Sequence, residues 1–340
     1  MDDSRAPVAI IGAGSWGTAL AVLLGRAGVP VRLWARRAEM AQSLRMRREN
    51  QQYLPGVALP DSVEPHADMA AAVAGAAMVV LAVPSQGMRE TVRALRPHLM
   101  PQHCVISAAK GLEHDTGLRM TEIIAQELPE PWGATPACLS GPNLAAEVAA
   151  GIATTTVVAC ADSDRARRAQ ELFMQPSFRV YTNPDVIGVE LGGALKNIIA
   201  IGAGINDGLG FGDNTKAALV TRGLAEMTRL GVALGAAPQT FVGLSGIGDL
   251  VATCASRRSR NHYVGYHLAL GRPLDDVLAG MDMIAEGVPT TGAAVRLAEQ
   301  SGVETPITRA VHAVLFEGLV PLDAVRQLMQ REARDEREEM

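Results

Sequence analysis

The sequence predicts a two-part chain: a doubly wound α/β domain over residues 1–184, followed by an all-helical domain over residues 185–340. Three observations predict this. Short apolar runs alternate with amphipathic stretches through the N-terminal half, as in strands joined by crossover helices. The β pattern stops near Asp185, and only helical periodicity follows. The length of 340 residues also exceeds what one compact core usually holds.

In chain order, strands are expected at 8–11, 31–34, 78–83, 105–108, 137–139, 154–160 and 178–182. Helices are expected between them at 18–26, 39–48, 86–95, 118–128 and 165–173. Continuous apolar runs such as Val8-Ala9-Ile10-Ile11 suit parallel strands covered on both faces. Asn183-Pro184 reads as a turn before the helical part. Helical patterns then run over 186–205, 215–234, 261–270, 291–300 and 308–316. The charge-dense tail 331–340 is expected to fray.

Composition narrows the function. With 31 Lys+Arg against 36 Asp+Glu, the net charge is −5, and no basic block stands out, which argues against a nucleic-acid binder. Hydrophobic residues at 48% and charged residues at 20% exclude a disordered chain. Cys104, Cys138, Cys160 and Cys254 are far apart in apolar surroundings, so buried free thiols are expected rather than zinc or dithiol chemistry. The start Met1-Asp2-Asp3-Ser4 is acidic and does not read as a signal peptide. The alanine-rich run 69–83 is broken by Gly75 and closed by Pro84, too short to cross a bilayer. The expectation is a cytoplasmic protein with no stable membrane insertion.

Gly12-Ala13-Gly14-Ser15-Trp16-Gly17 fits G-x-G-x-x-G between the first strand and a helix carrying Leu20, Leu23 and Leu24. In that setting Gly12 permits the tight turn, Gly14 admits a pyrophosphate to the backbone, and Gly17 lets helix and strand pack closely. The helix N-terminus offers N–H groups and positive partial charge to the phosphates. The tip of the second strand carries Arg36 and Arg37 instead of a ribose-binding carboxylate. Two guanidiniums suit the 2′-phosphate of NADP; the alternative is a solvated start to the next helix.

Later segments bear on a substrate. Pro84 in Val83-Pro84-Ser85 could shape a wall beside a nicotinamide. Lys110 in Ala109-Lys110-Gly111 would put a cation where an anionic substrate arrives, and Ser140-Gly141-Pro142-Asn143 offers backbone and amide groups. Each is also compatible with an ordinary strand-to-helix turn. In the helical part, Lys196 sits in the apolar run Leu191-Gly192-Gly193-Ala194-Leu195-Lys196-Asn197. The glycine pair would let a backbone or a ligand come close. If buried, Lys196 should have a pKa that falls toward neutrality and could exchange a proton with a carbonyl or alcohol; if at a helix edge, it would reach solvent. Asp249 in Gly246-Ile247-Gly248-Asp249-Leu250 reads as an N-cap, an orienter of Lys196 or a ligand for a hydroxyl. Ser259-Arg260-Asn261 at a helix start suits a phosphate or is a capped basic turn. His262 beside them has no evident base partner, and no histidine spacing reads as a metal site.

Taken together and in this order, these segments resemble the bacterial-type NAD(P)-dependent glycerol-3-phosphate dehydrogenases over nearly the whole chain. The resemblance implies an N-terminal Rossmann domain and an oxidoreductase that reduces dihydroxyacetone phosphate to sn-glycerol 3-phosphate with NADPH or NADH, feeding glycerophospholipid synthesis. It would make Lys196 the proton donor and acceptor. It would line the substrate site with Lys110, Gly141, Asn143, Lys196, Asp249, Ser259, Arg260 and Asn261. Beside the glycine turn it would put Ser15, Trp16, Arg36, Arg37, Lys110, Ala145, Arg260, Ile284 and Glu286 on the cofactor, with Asn143 and Ile284 at positions where the family varies. A homodimer is the general expectation for a soluble oligomer. Two rivals stand beside this reading: a dehydrogenase of β-hydroxy acids, which needs a carboxylate site instead of a phosphate clamp, and a nucleotide sensor without catalysis, which needs no proton shuttle.

Overall fold

The computed structural model describes residues 6–100, 103–129, 135–333 and 335. The acidic N-terminus 1–4 and much of the charged tail lie outside the described residues. The chain divides into two compact units: Met1–Ala109 with Met120–Val186, and Lys110–Arg119 with Ile187–Met340. The segment Lys110–Arg119, which the sequence reading leaves inside the α/β part, therefore groups with the helical unit.

The first unit carries strands β1 (Val8–Ile11), β2 (Val31–Trp34), β3 (Glu49–Asn50), β4 (Leu54–Ala58), β5 (Val63–His66), β6 (Met78–Leu81), β7 (Cys104–Ser107), β8 (Ala137–Ser140), β9 (Thr154–Ala159) and β10 (Phe178–Asn183). Its helices are α1 (Ser15–Arg26), α2 (Ala38–Arg47), α3 (Met69–Val73), α4 (Met88–Leu95), α5 (Met120–Glu127), α6 (Ala145–Ala150) and α7 (Ser163–Phe173). Eight strands form one sheet in the order β10-β9-β8-β7-β6-β1-β2-β5. From β1 the chain winds outward through β2 to β5, then crosses back to β6 on the other side of β1. That reversal puts a switch point at the carboxyl end of β1, where sheets of this kind bind ligands.

The apolar runs of β1, β6, β7 and β8 are buried along their whole length, as strands covered on both faces must be. The sheet is not wholly parallel, however. β8 and β9 pair antiparallel, with Leu139 opposite Val158. The two strands are joined through the six-residue α6. The strand β5 at the sheet edge and the hairpin β3–β4 were not expected from sequence. Both contain proline or charge (Pro55, Glu49, Glu64, Pro65), which masks the strand pattern.

The second unit is built from α8 (Val186–Gly208), α9 (Asp213–Ala233), α10 (Pro238–Phe241), α11 (Asp249–Ala255), α12 (Arg260–Ala269), α13 (Leu274–Ala279), α14 (Gly287–Ser301), α15 (Pro306–Phe316) and α16 (Pro321–Met329). A turn at Leu244–Gly248 leads into α11. Helix α8 is apolar and long enough to cross a membrane, but it is mostly buried and forms the axis of the unit's core. Its glycines set how close other backbones come. A Cβ at Gly204 would sit 2.0 Å from the His262 carbonyl oxygen on α12, and one at Gly265 would sit 1.9 Å from that of Ile201. The segment Lys110–Arg119 is a small hairpin with a bridge between Leu112 and Arg119. Leu112 is buried in the core around α8, and Arg119 pairs with the buried Glu190 at 2.7 Å.

Candidate active site

In the first unit the glycine turn has the geometry a dinucleotide requires. Gly12 has φ +119°, and a Cβ on it would lie 2.5 Å from the Ala82 carbonyl oxygen. A Cβ on Gly17 would lie 1.9 Å from the oxygen of Gly12, so helix and turn touch backbone to backbone. Gly14 differs: its missing side chain faces open space, with nothing within 4 Å. A closed Gly12 and Gly17 around an open Gly14 fits a pyrophosphate at the N-terminus of α1, whose first N–H groups have no acceptor within the helix.

Ser15 opens α1, and Trp16 and Ala145 share an apolar cluster with Leu54 and Ala149. Arg36 and Arg37 are exposed at the end of β2, and Arg37 donates to Gln52 Oε1 at 2.8 Å. Gly141, at φ +145°, lies against Thr155 and Thr156 of β9. Asn143 is tied to the same strand: its Nδ2 donates to the Thr155 carbonyl at 2.9 Å, and its Oδ1 accepts from Thr156 at 2.8 Å.

In the second unit three predicted residues meet directly. Lys196 on α8 is buried, and its Nζ lies 2.5 Å from Asp249 Oδ1 and 2.6 Å from Thr253 Oγ1. The other carboxylate oxygen of Asp249 accepts from Lys110 Nζ at 2.7 Å. Asp249 is thus not an N-cap. It is the first residue of α11, buried, with one ammonium on each oxygen. Two ammonium groups thus share the one Asp249 carboxylate. Burial pushes the Lys196 pKa down to about 8; Asp249 opposes the shift and Lys110 adds to it. The close approach depends on Gly192, where a Cβ would lie 2.5 Å from the Ser245 carbonyl oxygen. Of the two roles open to the glycine pair, Gly192 admits another backbone.

The next residue, Asn197, carries the cluster outward. Its Nδ2 donates to the Lys110 carbonyl at 3.1 Å, and its Oδ1 accepts from Asn261 Nδ2 at 2.8 Å. Asn261 Oδ1 in turn accepts the Gly287 N–H at 2.9 Å. Ser259 caps α12 by accepting from the His262 N–H at 3.3 Å. Arg260 stands in the first turn of α12, where burial of its guanidinium pushes its pKa down and the carboxylate of Glu286 opposes that shift. Glu286 precedes α14, and Ile284 is exposed just before it. His262, for which the sequence offers no base partner, has one: its Nε2 lies 2.8 Å from Asp207 Oδ2. Asp207 lies 55 residues earlier on α8, beyond the reach of any local pattern. Thr253 and Asn197 are the polar members that sequence reading assigned no role. Thr253 follows Asp249 by one helical turn, the only signal it carries.

Residues 7–166 match the family described as NAD-dependent glycerol-3-phosphate dehydrogenase N-terminus, and residues 185–326 match its C-terminus. The chain belongs to the NAD-dependent glycerol-3-phosphate dehydrogenase family. Family members include the glycerol-3-phosphate dehydrogenase (NAD(P)+) of Moorella thermoacetica, 53% identical over 95% of this chain and 96% of that protein. The enzyme of the same name from Geobacillus kaustophilus is 51% identical over 98% of this chain and 97% of that one. Among solved structures, the glycerol-3-phosphate dehydrogenase of Coxiella burnetii superposes with a TM-score of 0.92 at 38% identity, over 96% of this chain and 99% of that one. Like its family, this chain is an oxidoreductase of CH–OH groups that uses NAD(H) or NADP(H).

Proposed function

We propose that this chain reduces dihydroxyacetone phosphate to sn-glycerol 3-phosphate, reversibly, and so supplies the backbone of glycerophospholipids. The observation that carries the proposal is the buried Lys196 on Asp249, with Lys110 on the second carboxylate oxygen. A nicotinamide cofactor supplies the hydride when bound. The chain's residues do the rest.

With its pKa pushed down to about 8, Lys196 is mostly protonated at neutral pH, so it can give a proton to a carbonyl oxygen, and above that pH it can take one from an alcohol. Asp249 and Thr253 hold its Nζ in place. Lys110 adds positive charge where charge develops on the substrate oxygen, which is the electrostatic part of catalysis. Arg260, at the start of α12 with Ser259 and Asn261, is read as the phosphate clamp; binding that remote group orients a small substrate. Gly141 and Asn143 are read as further substrate contacts.

For the cofactor, Gly12, Gly14 and Gly17 with Ser15 and Trp16 are assigned to the pyrophosphate turn. Arg36 and Arg37 are assigned to the 2′-phosphate of NADP, and Ala145, Lys110, Arg260, Ile284 and Glu286 to the remaining contacts. Most dinucleotide contacts are assigned to the α/β unit, and the chemistry and most substrate contacts to the helical unit, which includes Lys110–Arg119. The chain is read as cytoplasmic and as a homodimer; light scattering in solution tests the dimer. The decisive assay follows NADPH and NADH consumption with dihydroxyacetone phosphate and, separately, with keto acids. Turnover confined to the phosphorylated ketone is expected. Preference for a keto acid, or nucleotide binding with no oxidation by any ketone, overturns the proposal.

A further inference from the structure

Asn50 is almost wholly buried at the end of β3, apart from the residues assigned to substrate and cofactor. All of its polar groups are engaged. Its Nδ2 donates to the Ala13 carbonyl at 3.0 Å and to Thr18 Oγ1 at 2.7 Å, and its Oδ1 accepts from the Tyr53 N–H at 3.1 Å. Ala13 is the middle residue of Gly12-Ala13-Gly14. In a planar trans peptide the carbonyl of one residue and the N–H of the next point in opposite directions. By holding the Ala13 oxygen on its own side, Asn50 turns the Gly14 N–H to the other side.

The hairpin is built to deliver this contact. Arg48, immediately after α2, has φ +52° and is the only non-glycine residue with positive φ among the described residues. A long side chain in that conformation is unfavourable unless its surroundings hold it there. Here the guanidinium is held by the carbonyls of Val63 at 2.9 Å, Leu59 at 3.3 Å and Pro60. The pairing register then slips between Glu49 and Asn50, which changes the direction of the strand at Asn50. Leu54 and Val57 close the hairpin onto Trp16 and Ala19 of α1.

We propose that Asn50 is a positioning residue of the dinucleotide turn. It presents the Gly14 N–H and the start of α1 to the pyrophosphate, without itself touching the cofactor. The proposal rests on the reading of this turn as the dinucleotide site. Since the pyrophosphate is common to both cofactors, Asn50 serves NADPH and NADH alike.

The test is isothermal titration of the full chain with NADPH and with NADH, together with steady-state kinetics, for Asn50→Ala, Asn50→Asp and Thr18→Val. Asn50→Ala should raise Kd about tenfold or more for both nucleotides. Its kcat at saturating cofactor and its KM for dihydroxyacetone phosphate should stay within about threefold, a split that general loss of structure would not produce. Asn50→Asp keeps the size and the bond to Tyr53 but sets an acceptor against the Ala13 oxygen. It should bind at least as poorly, and it carries the test if the alanine variant does not fold. Thr18→Val removes only the second anchor and should bind nearly as the parent does. Parent-like Kd in folded Asn50→Ala or Asn50→Asp overturns the assignment, as does a Thr18→Val defect as large as that of Asn50→Ala. A parent chain that binds neither nucleotide overturns the dinucleotide reading, and the assignment with it.

Discussion

Lys196 Nζ lies 2.5 Å from Asp249 Oδ1, and both side chains are almost wholly buried. Burial disfavours the ammonium and the carboxylate favours it, and burial is the larger effect, leaving Lys196 near 8. Removing this lysine should therefore remove chemistry and leave binding. Lys196→Ala is expected to keep its Kd for NADPH and to lose about 10²- to 10⁴-fold in kcat. Stopped-flow and steady-state assays check this; parent-like turnover would remove the proton shuttle. In the parent, carbonyl reduction needs the protonated lysine, so kcat should fall as pH rises through about 8, and alcohol oxidation should rise over the same range.

Asp249→Asn tests the other half of the pair. Asp249 supports the charge on Lys196, so without it the Lys196 pKa drops further and the break in the reduction profile moves to lower pH. Two ammoniums are also left without their shared counter-charge, at a stability loss of about 3–5 kcal/mol, read from chemical denaturation. An unmoved break would mean that Asp249 does not govern this titration.

Arg260→Ala addresses the phosphate. The variant should raise the KM for dihydroxyacetone phosphate by at least about tenfold, with a smaller change in cofactor affinity. An unchanged KM would take Arg260 out of the clamp.

Glu226 offers a test of stability remote from the chemistry. This buried residue on α9 accepts the N–H groups of Ile307 at 2.6 Å and Thr308 at 3.1 Å, capping α15 from outside. Glu226→Ala strands those donors and should cost about 1–3 kcal/mol in denaturant unfolding. Burial pushes the Glu226 carboxyl up to about 7, above its value of about 4.3 in an unfolded chain. The folded state then binds the proton more tightly, so this contribution to stability is greatest at acid pH and is lost as pH rises from about 4 to about 7. Glu226→Gln should flatten that slope in a series of melting curves; an unaltered slope assigns it to other groups.

The legible parts of the fold share one property: their patterns are local. The apolar run Val8–Ile11, the three glycines after it and the 23-residue α8 announce themselves within a few turns of chain. The hairpin β3–β4 was not legible because Arg48 breaks the backbone pattern and the anchor of Asn50 lies 37 residues away. The antiparallel turn of β9 was hidden for another reason. Apolar runs in parallel and antiparallel strands look alike when both faces are covered.

By itself the sequence determined that a glycine turn follows a buried strand, that a lysine lies within an apolar helix, and that an arginine stands at a helix start. These follow from composition and period. Tertiary structure alone decided that Asp249 takes one lysine on each oxygen, that Lys110 belongs with the helical unit, and that His262 meets Asp207. Such pairings join residues tens to more than a hundred positions apart, and no spacing rule reaches that far. Their distances and the desolvation that sets the Lys196 titration exist only once the helices have packed.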